Sequence, residues 1–316
     1  MATPFNILFL AAGKRLSLFE RFQSACRQEG LEPQLFSYET AERVPVAQVA
    51  TVLPGKLWDD PELAQDVARI VGRHQIHLIV PCVNRAALLL SRWAGDLRQQ
   101  GCAAVVSDEE VCSTFDNKRL TEQWFLQHGV STPLWSEQSP LPWLLKPIFG
   151  AASRGHIRIE SRDDFARLRG SLDMNDYVLQ PIVKGVEYTV DGYVSRSGEI
   201  LGCVTRSRLA VADGEVVRSQ TERVQELVRQ SEALLRQGKF CGPITLQAIQ
   251  AEGEFWFLEI NPRLGGGVIL SIAAGADYPR LCVREALGRA VAPVSWREGL
   301  LMTRAYREVF FEKGKL

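Results

Sequence analysis

Phe257-Leu258-Glu259-Ile260-Asn261-Pro262-Arg263 is an apolar strand pattern with two polar side chains, Glu259 and Asn261, set two residues apart. Residues at that spacing on a strand point to the same face. A carboxylate and an amide oxygen therefore converge on one point, and Arg263 follows beyond the proline. Mg2+ takes oxygen ligands and commonly uses only one or two carboxylates, with substrate phosphates completing its shell. Gln247, on the preceding apolar run Ile244 to Ala251, can add a further oxygen from the side. The segment thus reads as a metal-holding strand with a fixed cation at its exit. The plainer alternative is a surface strand that ends at a proline turn.

Two lysines and a small-residue loop upstream bear on that choice. Lys118, in Phe115-Asp116-Asn117-Lys118, and Lys146, at the end of the apolar Trp143-Leu144-Leu145, each offer a compact cation to a phosphate oxygen. Either alone is as readily a solvated side chain. Four residues after Lys146 begins Gly150-Ala151-Ala152-Ser153-Arg154-Gly155, whose lack of bulk lets backbone N–H groups approach a phosphate closely. A hairpin turn would also use such residues, but it needs neither the lysine before it nor that length. Together these elements suit a nucleoside triphosphate. They do so without a G-x-x-x-x-G-K-[ST] loop, and the first strand is not followed by G-x-G-x-x-G.

The N-terminal third alternates strand and helix patterns. Asn6 to Ala12, Glu32 to Tyr38 and Leu78 to Pro81 read as strands, with helices over Leu18 to Glu29 and Pro61 to His74. Alternation of this kind implies a parallel sheet with crossover helices. Ligands to such sheets sit at the carboxyl ends of strands, here near Ala11 to Arg15 and Pro81 to Arg85. A long helix is expected over Glu109 to His128 and another over Val217 to Lys239. Short strands are expected at Trp143 to Pro147 and Ile157 to Ile159, and Ser161 starts a helix running through Leu168. Glu187 to Val194, Glu199 to Arg206, Ile244 to Ala251 and Phe255 to Ile260 alternate as strands of a largely antiparallel sheet. The expected division is an α/β unit over 1–107 and an α+β unit over 108–316, the latter with a small lobe at about 142–181.

Composition narrows the function classes. The 316 residues carry 37 Lys+Arg against 37 Asp+Glu, which argues against nucleic acid as the main partner and for a small substrate. The longest apolar runs fall far short of the roughly 18–20 residues that cross a bilayer. Seven scattered cysteines with no C-x-x-C pair fit a reducing cytoplasm.

Four segments in order, Asp116-Asn117-Lys118, residues 144–155 (LLKPIFGAASRG), 178–192 (VLQPIVKGVEYTVDG) and 258–267 (LEINPRLGGG), resemble the ATP-grasp superfamily. The closest likeness is to its carbamoyl-phosphate-synthase-like branch, which includes carboxylate–amine ligases. The resemblance implies a parallel α/β pre-ATP-grasp domain followed by a two-lobed ATP-grasp domain with antiparallel sheets. It implies that Lys118 and Lys146 hold ATP, that Gly150, Ser153, Arg154 and Gly155 belong to a flexible phosphate loop, and that Gln180, Pro181 and Ile182 form the hinge at adenine. Glu187 would meet the ribose. Glu259, Asn261 and Gln247 would hold Mg2+, or Mn2+ in its place, and Arg263 with Lys146 would act on an acyl-phosphate. Gln247 stands where many members carry an acid, and Val83-Asn84-Arg85 where similar chains often have acidic residues.

The implied activity is formation of an amide or peptide bond between a small carboxylate and an amine, amino acids among them, with release of ADP and phosphate. Activation of bicarbonate, as in carboxylases or carbamoyl phosphate synthesis, and ATP binding without turnover are the alternatives. Arg15, Arg206, Arg208 and Arg218 are candidates for a substrate carboxylate, and Gly265 and Gly266 for close approach of substrate. A solvent-facing arginine is an equal reading for each. No membrane or nucleic-acid partner is expected, and a homodimer is left open.

Overall fold

The computed structural model describes residues 3–150, 154–212, 214–305 and 307–312. The chain begins with β1 (Thr3–Leu10), α1 (Leu16–Gln28), β2 (Leu31–Glu39), β3 (Thr51–Pro54), α2 (Leu63–Arg73), β4 (Ile76–Pro81), α3 (Asn84–Gln99) and β5 (Ala103–Ala104). The five strands form one parallel sheet in the order β3-β2-β1-β4-β5. A strand covered on both faces reads as a continuous apolar run. Accordingly Ile7 and Phe9 enter one core while Leu8 and Leu10 enter another. Phe19 and Phe22 of α1 pack on Phe9, with ring centroids 4.1 and 5.0 Å away. Strand order reverses between β1 and β4, so the loops after them lie at the switch point where such sheets bind ligands. The sequence reading assigned no element to residues 84–99. They form α3, whose apolar residues run in a block, Ala86 to Leu90, rather than at helical spacing.

The single helix expected over Glu109 to His128 is two, α4 (Glu109–Asp116) and α5 (Lys118–Gln127). Asn117 breaks them because its extended backbone frees its side chain to cap α5, accepting from the amides of Arg119 and Leu120. Lys118 thereby becomes the first residue of a helix.

A three-stranded antiparallel sheet, order β7-β6-β8, follows: β6 (Trp143–Pro147), β7 (Ile157–Ile159), α6 (Arg162–Arg169) and β8 (Tyr177–Pro181). Ser161 caps α6, as its position suggested. The largest sheet holds β9 (Val186–Val194), β10 (Ile200–Ala212), β11 (Glu215–Thr221), β12 (Gly242–Ala251), β13 (Glu254–Asn261) and β14 (Leu301–Thr303), in the order β13-β12-β9-β10-β11-β14. Every pairing in it is antiparallel. Helices α7 (Gln225–Gln237), α8 (Val268–Ala273) and α9 (Tyr278–Ala286), with single 3-10 turns at Pro45–Gln48 and Met174–Asp176, complete the described elements. The helix expected over Val217 to Lys239 is therefore half wrong. Residues up to Thr221 continue a hairpin, because Val216, Ser219 and Thr221 bury against the sheet while Glu215 and Arg218 face out.

The first sheet shares its core with the last helices. Ile7, Phe9 and Phe22 belong to one cluster with Val204, Leu264, Val268, Tyr278 and Leu281. The same junction holds Glu29, whose side chain is 3% exposed and is met by Arg280 (2.7 Å), Arg284 (2.9 Å) and Arg289 (2.8 Å). Burial alone would raise the Glu29 carboxyl, but hydrogen bonds from these guanidinium groups outweigh it and hold the group at about 2. A carboxyl held below its unfolded value stabilises the fold above that value, and the contribution is lost as pH falls toward the folded one. Glu29→Gln should cost about 1 kcal/mol at neutral pH, the loss of charge-assisted hydrogen bonds to arginines that are 28–44% exposed and can turn to water. In denaturant titrations the gap from wild type should shrink between about pH 4.3 and about pH 2. A gap that does not change with pH would contradict the assignment.

Candidate functional site

Strands β12 and β13 pair so that Gln247 lies directly opposite Glu259, with a register shift just after Gln247. The predicted alternation therefore brings Gln247, Glu259 and Asn261 to one place. Asn261 donates from Nδ2 to Glu259 Oε1 (2.9 Å), and Arg263 donates from Nη2 to Asn261 Oδ1 (3.0 Å). Arg263 also donates from Nε to Asn84 Oδ1 (3.0 Å) and from Nη1 to the Leu264 carbonyl (3.2 Å). Burial and the nearby Arg15 charge lower the Arg263 guanidinium to about 10, against the pull of Glu259, so it stays charged at neutral pH. Among the described residues no three His, Cys, Asp or Glu side chains gather as a metal site. What is gathered is one carboxylate with two amide oxygens.

Beside Glu259, between the three-stranded sheet and the large one, lies a narrow cleft that also takes in Lys118, Lys146, Glu122, Gln180 and His156. Lys146 donates to Gln180 Oε1 (2.6 Å), whose amide in turn donates to Glu122 (3.0 Å). Lys118 donates from Nζ to the Gly150 carbonyl (3.0 Å) and from its amide to the Ile148 carbonyl (2.9 Å). Burial lowers both ammonium groups, and the Glu259 charge opposes it. The two lysines, 28 positions apart in sequence, thus reach one cleft from α5 and β6. Gly150, Arg154 and Gly155 are exposed at its rim; Ser153 lies outside the described residues.

Two titratable residues of this cleft, Glu122 and His156, are not among those the sequence points to. Glu122 lies one helical turn after Lys118, a spacing that puts both on one face of α5 and would have revealed it. His156 immediately follows the glycine loop. Burial, then Lys146 and Lys118, push its imidazole down to about 4, so it is neutral at neutral pH.

Other expectations shift. The Ile182 amide, expected to face a base, already donates to the Pro142 carbonyl (3.1 Å), and Pro181 has no N–H. The free backbone amide of this segment belongs to the next residue, Val183, which has no partner among the described residues. Glu187 forms an ion pair with Arg208 (2.8 Å), so neither side chain is free as read. Arg206 is 1% exposed and pairs through Nε with the equally buried Asp191 (2.8 Å), which removes it from the surface candidates. Arg15 donates to the Leu264 carbonyl (3.0 Å) and to the Gly265 carbonyl, holding the chain's own loop rather than a substrate.

The glycines divide the same way. A Cβ on Gly265 would lie 2.6 Å from Thr245 Oγ1, and one on Gly267 would lie 2.6 Å from Arg206 Nη1, so both are glycine for packing. Gly266 alone of the three faces open space. The turn after β1 is also closed to phosphate, since Glu39 Oε1 accepts from the Ala12 amide (2.7 Å) and from Ser37 Oγ (2.6 Å).

Residues 173–307 match the family model described as ATP-grasp in the biosynthetic pathway with Ter operon. Solved structures with the same fold include N5-carboxyaminoimidazole synthetase from Staphylococcus aureus complexed with ADP, 12% identical, with a TM-score of 0.75 over 96% of this chain and 83% of that one. N5-carboxyaminoimidazole ribonucleotide synthetase from Thermus thermophilus is 18% identical, TM-score 0.70, over 94% and 82%. The biotin carboxylase domain of Hydrogenobacter thermophilus 2-oxoglutarate carboxylase, a dimer in complex with MgADP, ADP and bicarbonate, is 15% identical, TM-score 0.72, over 90% and 70%. At these identities the likeness is one of fold.

The surroundings of His156 make a direct test. Its ring should stay neutral in the free protein down to about pH 4. Lys118→Met removes a neighbouring cation and should raise that value, whereas Glu259→Gln removes the opposing charge and should lower it. Imidazole C–H shifts followed by NMR across pH read both. A value near the ordinary 6.5 in wild type would place His156 outside the cleft.

Proposed function

We propose that this chain, which has the ATP-grasp fold, is an ATP-dependent ligase of the carboxylate–amine type. The observation that carries the reading is the single cleft shared by Lys118, Lys146 and Glu259, with Arg263 tied to its edge through Asn261. Its two lysines face the carboxylates of Glu122 and Glu259, and Arg263 beside it tips the balance to positive, which suits a polyphosphate and a second anion brought together.

ATP would enter with its phosphates against Lys118 and Lys146, whose present bonds are to neutral oxygens of Gly150 and Gln180. Its base would meet the Gln180 to Val183 segment. That similar structures are complexes with ADP supports a nucleotide as the ligand. The donors Glu259, Asn261 and Gln247 are all oxygens, as Mg2+ or Mn2+ requires, and a single carboxylate suits an ion that arrives with nucleotide. These three residues would hold it, and it would supply charge neutralisation at the phosphate oxygens.

The chemistry then follows from charge. A carboxylate oxygen of the acid attacks the γ-phosphorus, and the bond from that phosphorus to the ADP oxygen breaks. Two anions meet in this step, so the lysines offset repulsion and hold the line of attack. The amine nitrogen next attacks the acyl carbon of the acyl-phosphate, loses a proton, and expels phosphate as the carbon–oxygen bond breaks. Three of the five N–H groups of Arg263 are engaged, and two remain for the oxygens of the acyl-phosphate. Exclusion of water during this interval protects the intermediate.

A bicarbonate complex among the similar structures favours bicarbonate as the alternative acid. Phosphate release that depends on added organic acid, and not on bicarbonate, separates the two.

Hydroxylamine in place of the amine should trap the activated acid as a hydroxamate, and 18O in the acid's carboxylate should pass into released phosphate. Phosphate without that label would rule out acyl-phosphate formation.

The metal reading has its own test. Gln247→Glu adds a charge directly opposite Glu259. It should tighten Mg2+ binding to the nucleotide-free protein, and Glu259→Gln should weaken it. Titration calorimetry with Mg2+ alone decides this, and equal affinity for wild type and Gln247→Glu would remove Gln247 from the metal site.

A further inference from the structure

Asn84 is the first residue of α3, at the carboxyl end of β4, and its amide is used twice. Oδ1 accepts from Arg263 Nε (3.0 Å), and Nδ2 donates to the Phe115 carbonyl (3.2 Å) in the last turn of α4. A helix leaves its final carbonyls without intrahelical partners, so the second bond satisfies a group that needs one. Only a side chain that both accepts and donates can serve the two neighbours at once, and a carboxylate can only accept. The other acceptors of Arg263, Asn261 Oδ1 and the Leu264 carbonyl, are also neutral. Its guanidinium is thus gripped on three sides without being directly ion-paired.

We propose that Asn84 is a positioning residue: its neutral amide clamps Arg263 from the carboxyl edge of the first sheet, fixing the plane of the guanidinium while leaving its charge for the anion it meets. The inference rests on the role given to Arg263 above. Asn84 touches no reacting atom and acts through Arg263. An acid at position 84 would keep the grip on Nε but set a negative charge beside the guanidinium, and it would face the Phe115 carbonyl with no proton to offer.

The test reads the clamp and the chemistry separately. In 15N-labelled protein the Arg263 Nε–H cross-peak is identified by its loss in Arg263→Lys. Asn84→Ala should shift that peak upfield and speed its exchange with water. The same variant should lower kcat for acid-dependent phosphate release about tenfold, the worth of one charge-assisted hydrogen bond, while KM for ATP stays within about twofold. In an Arg263→Lys background Asn84→Ala should cost nothing more, because lysine offers no Nε–H to that amide. Asn84→Asp, nearly the same shape, should keep Nε–H protected and still lose turnover, and it serves alone if the alanine variant does not fold.

An Nε–H peak unmoved by Asn84→Ala would overturn the clamp. A full further loss in the Arg263→Lys background would overturn the route through Arg263, and wild-type turnover in Asn84→Asp would overturn the need for neutrality. Because the cross-peak is read without turnover, a wild type lacking acid-dependent phosphate release would count against the ligase reading and leave the clamp to be decided by NMR.

Discussion

Asp191 and Arg206 form an ion pair in which each residue is 1% exposed, and the site is built on top of it. Taking two charges out of water costs several kcal/mol per ion in practice, so such a pair persists only when its spare oxygens and protons are largely satisfied, although Arg206 Nη1 has no partner among the described residues. Asp191 meets that condition through Ser271 Oγ (2.6 Å) and Thr245 Oγ1 (3.3 Å), and its own carbonyl accepts from Tyr278 (2.6 Å). The pair therefore joins β9, β10, β12, α8 and α9 at one point. Thr245 shares its hydroxyl with the Arg263 carbonyl (3.2 Å), which supports Arg263 from below. The loop over the pair can lie so close only because Gly265 and Gly267 have no side chain.

Above this floor cations crowd together. Lys118 and Lys146 share the cleft with Glu259 and Glu122, Arg263 stands at its edge near Arg15, and burial lowers three of these cations. Such crowding works against stability, and natural proteins tolerate it where function gains from it. An arriving anion relieves the repulsion. The cleft is arranged for a charge that the chain itself does not supply.

How much of this the sequence disclosed follows from the range of each interaction. The alternation of Glu259 and Asn261 is local, and strand geometry alone placed them together. The apolar runs of β1 and β4 declared a doubly covered sheet for the same reason. The break at Asn117 hid inside an otherwise helical stretch, because capping by one side chain leaves the apolar spacing on either side unchanged. In β11, alternation was weak against the helical pattern that follows it. Arg206 and Arg15 read as surface arginines since their partners, Asp191 and the carbonyls of Leu264 and Gly265, are chosen by tertiary packing. Nothing adjacent in sequence announces that a guanidinium will be buried. Nor does the chain around Asn84 reveal that its amide faces an arginine 179 residues later.

The bonds from Arg15 to the carbonyls of Leu264 and Gly265 span 249 and 250 residues. Contacts of such separation are the slowest to close, because the entropy of a very long loop must be lost before the contact returns anything. The parallel sheet and the antiparallel one can each collapse on their own apolar faces earlier. Placement of the loop at Leu264 to Gly267, and with it the seat of Arg263, should accordingly come late in folding. A partly folded chain would have strands and cleft walls but no ordered guanidinium, and so no means of committing a nucleotide to reaction before the rest of the molecule is in place.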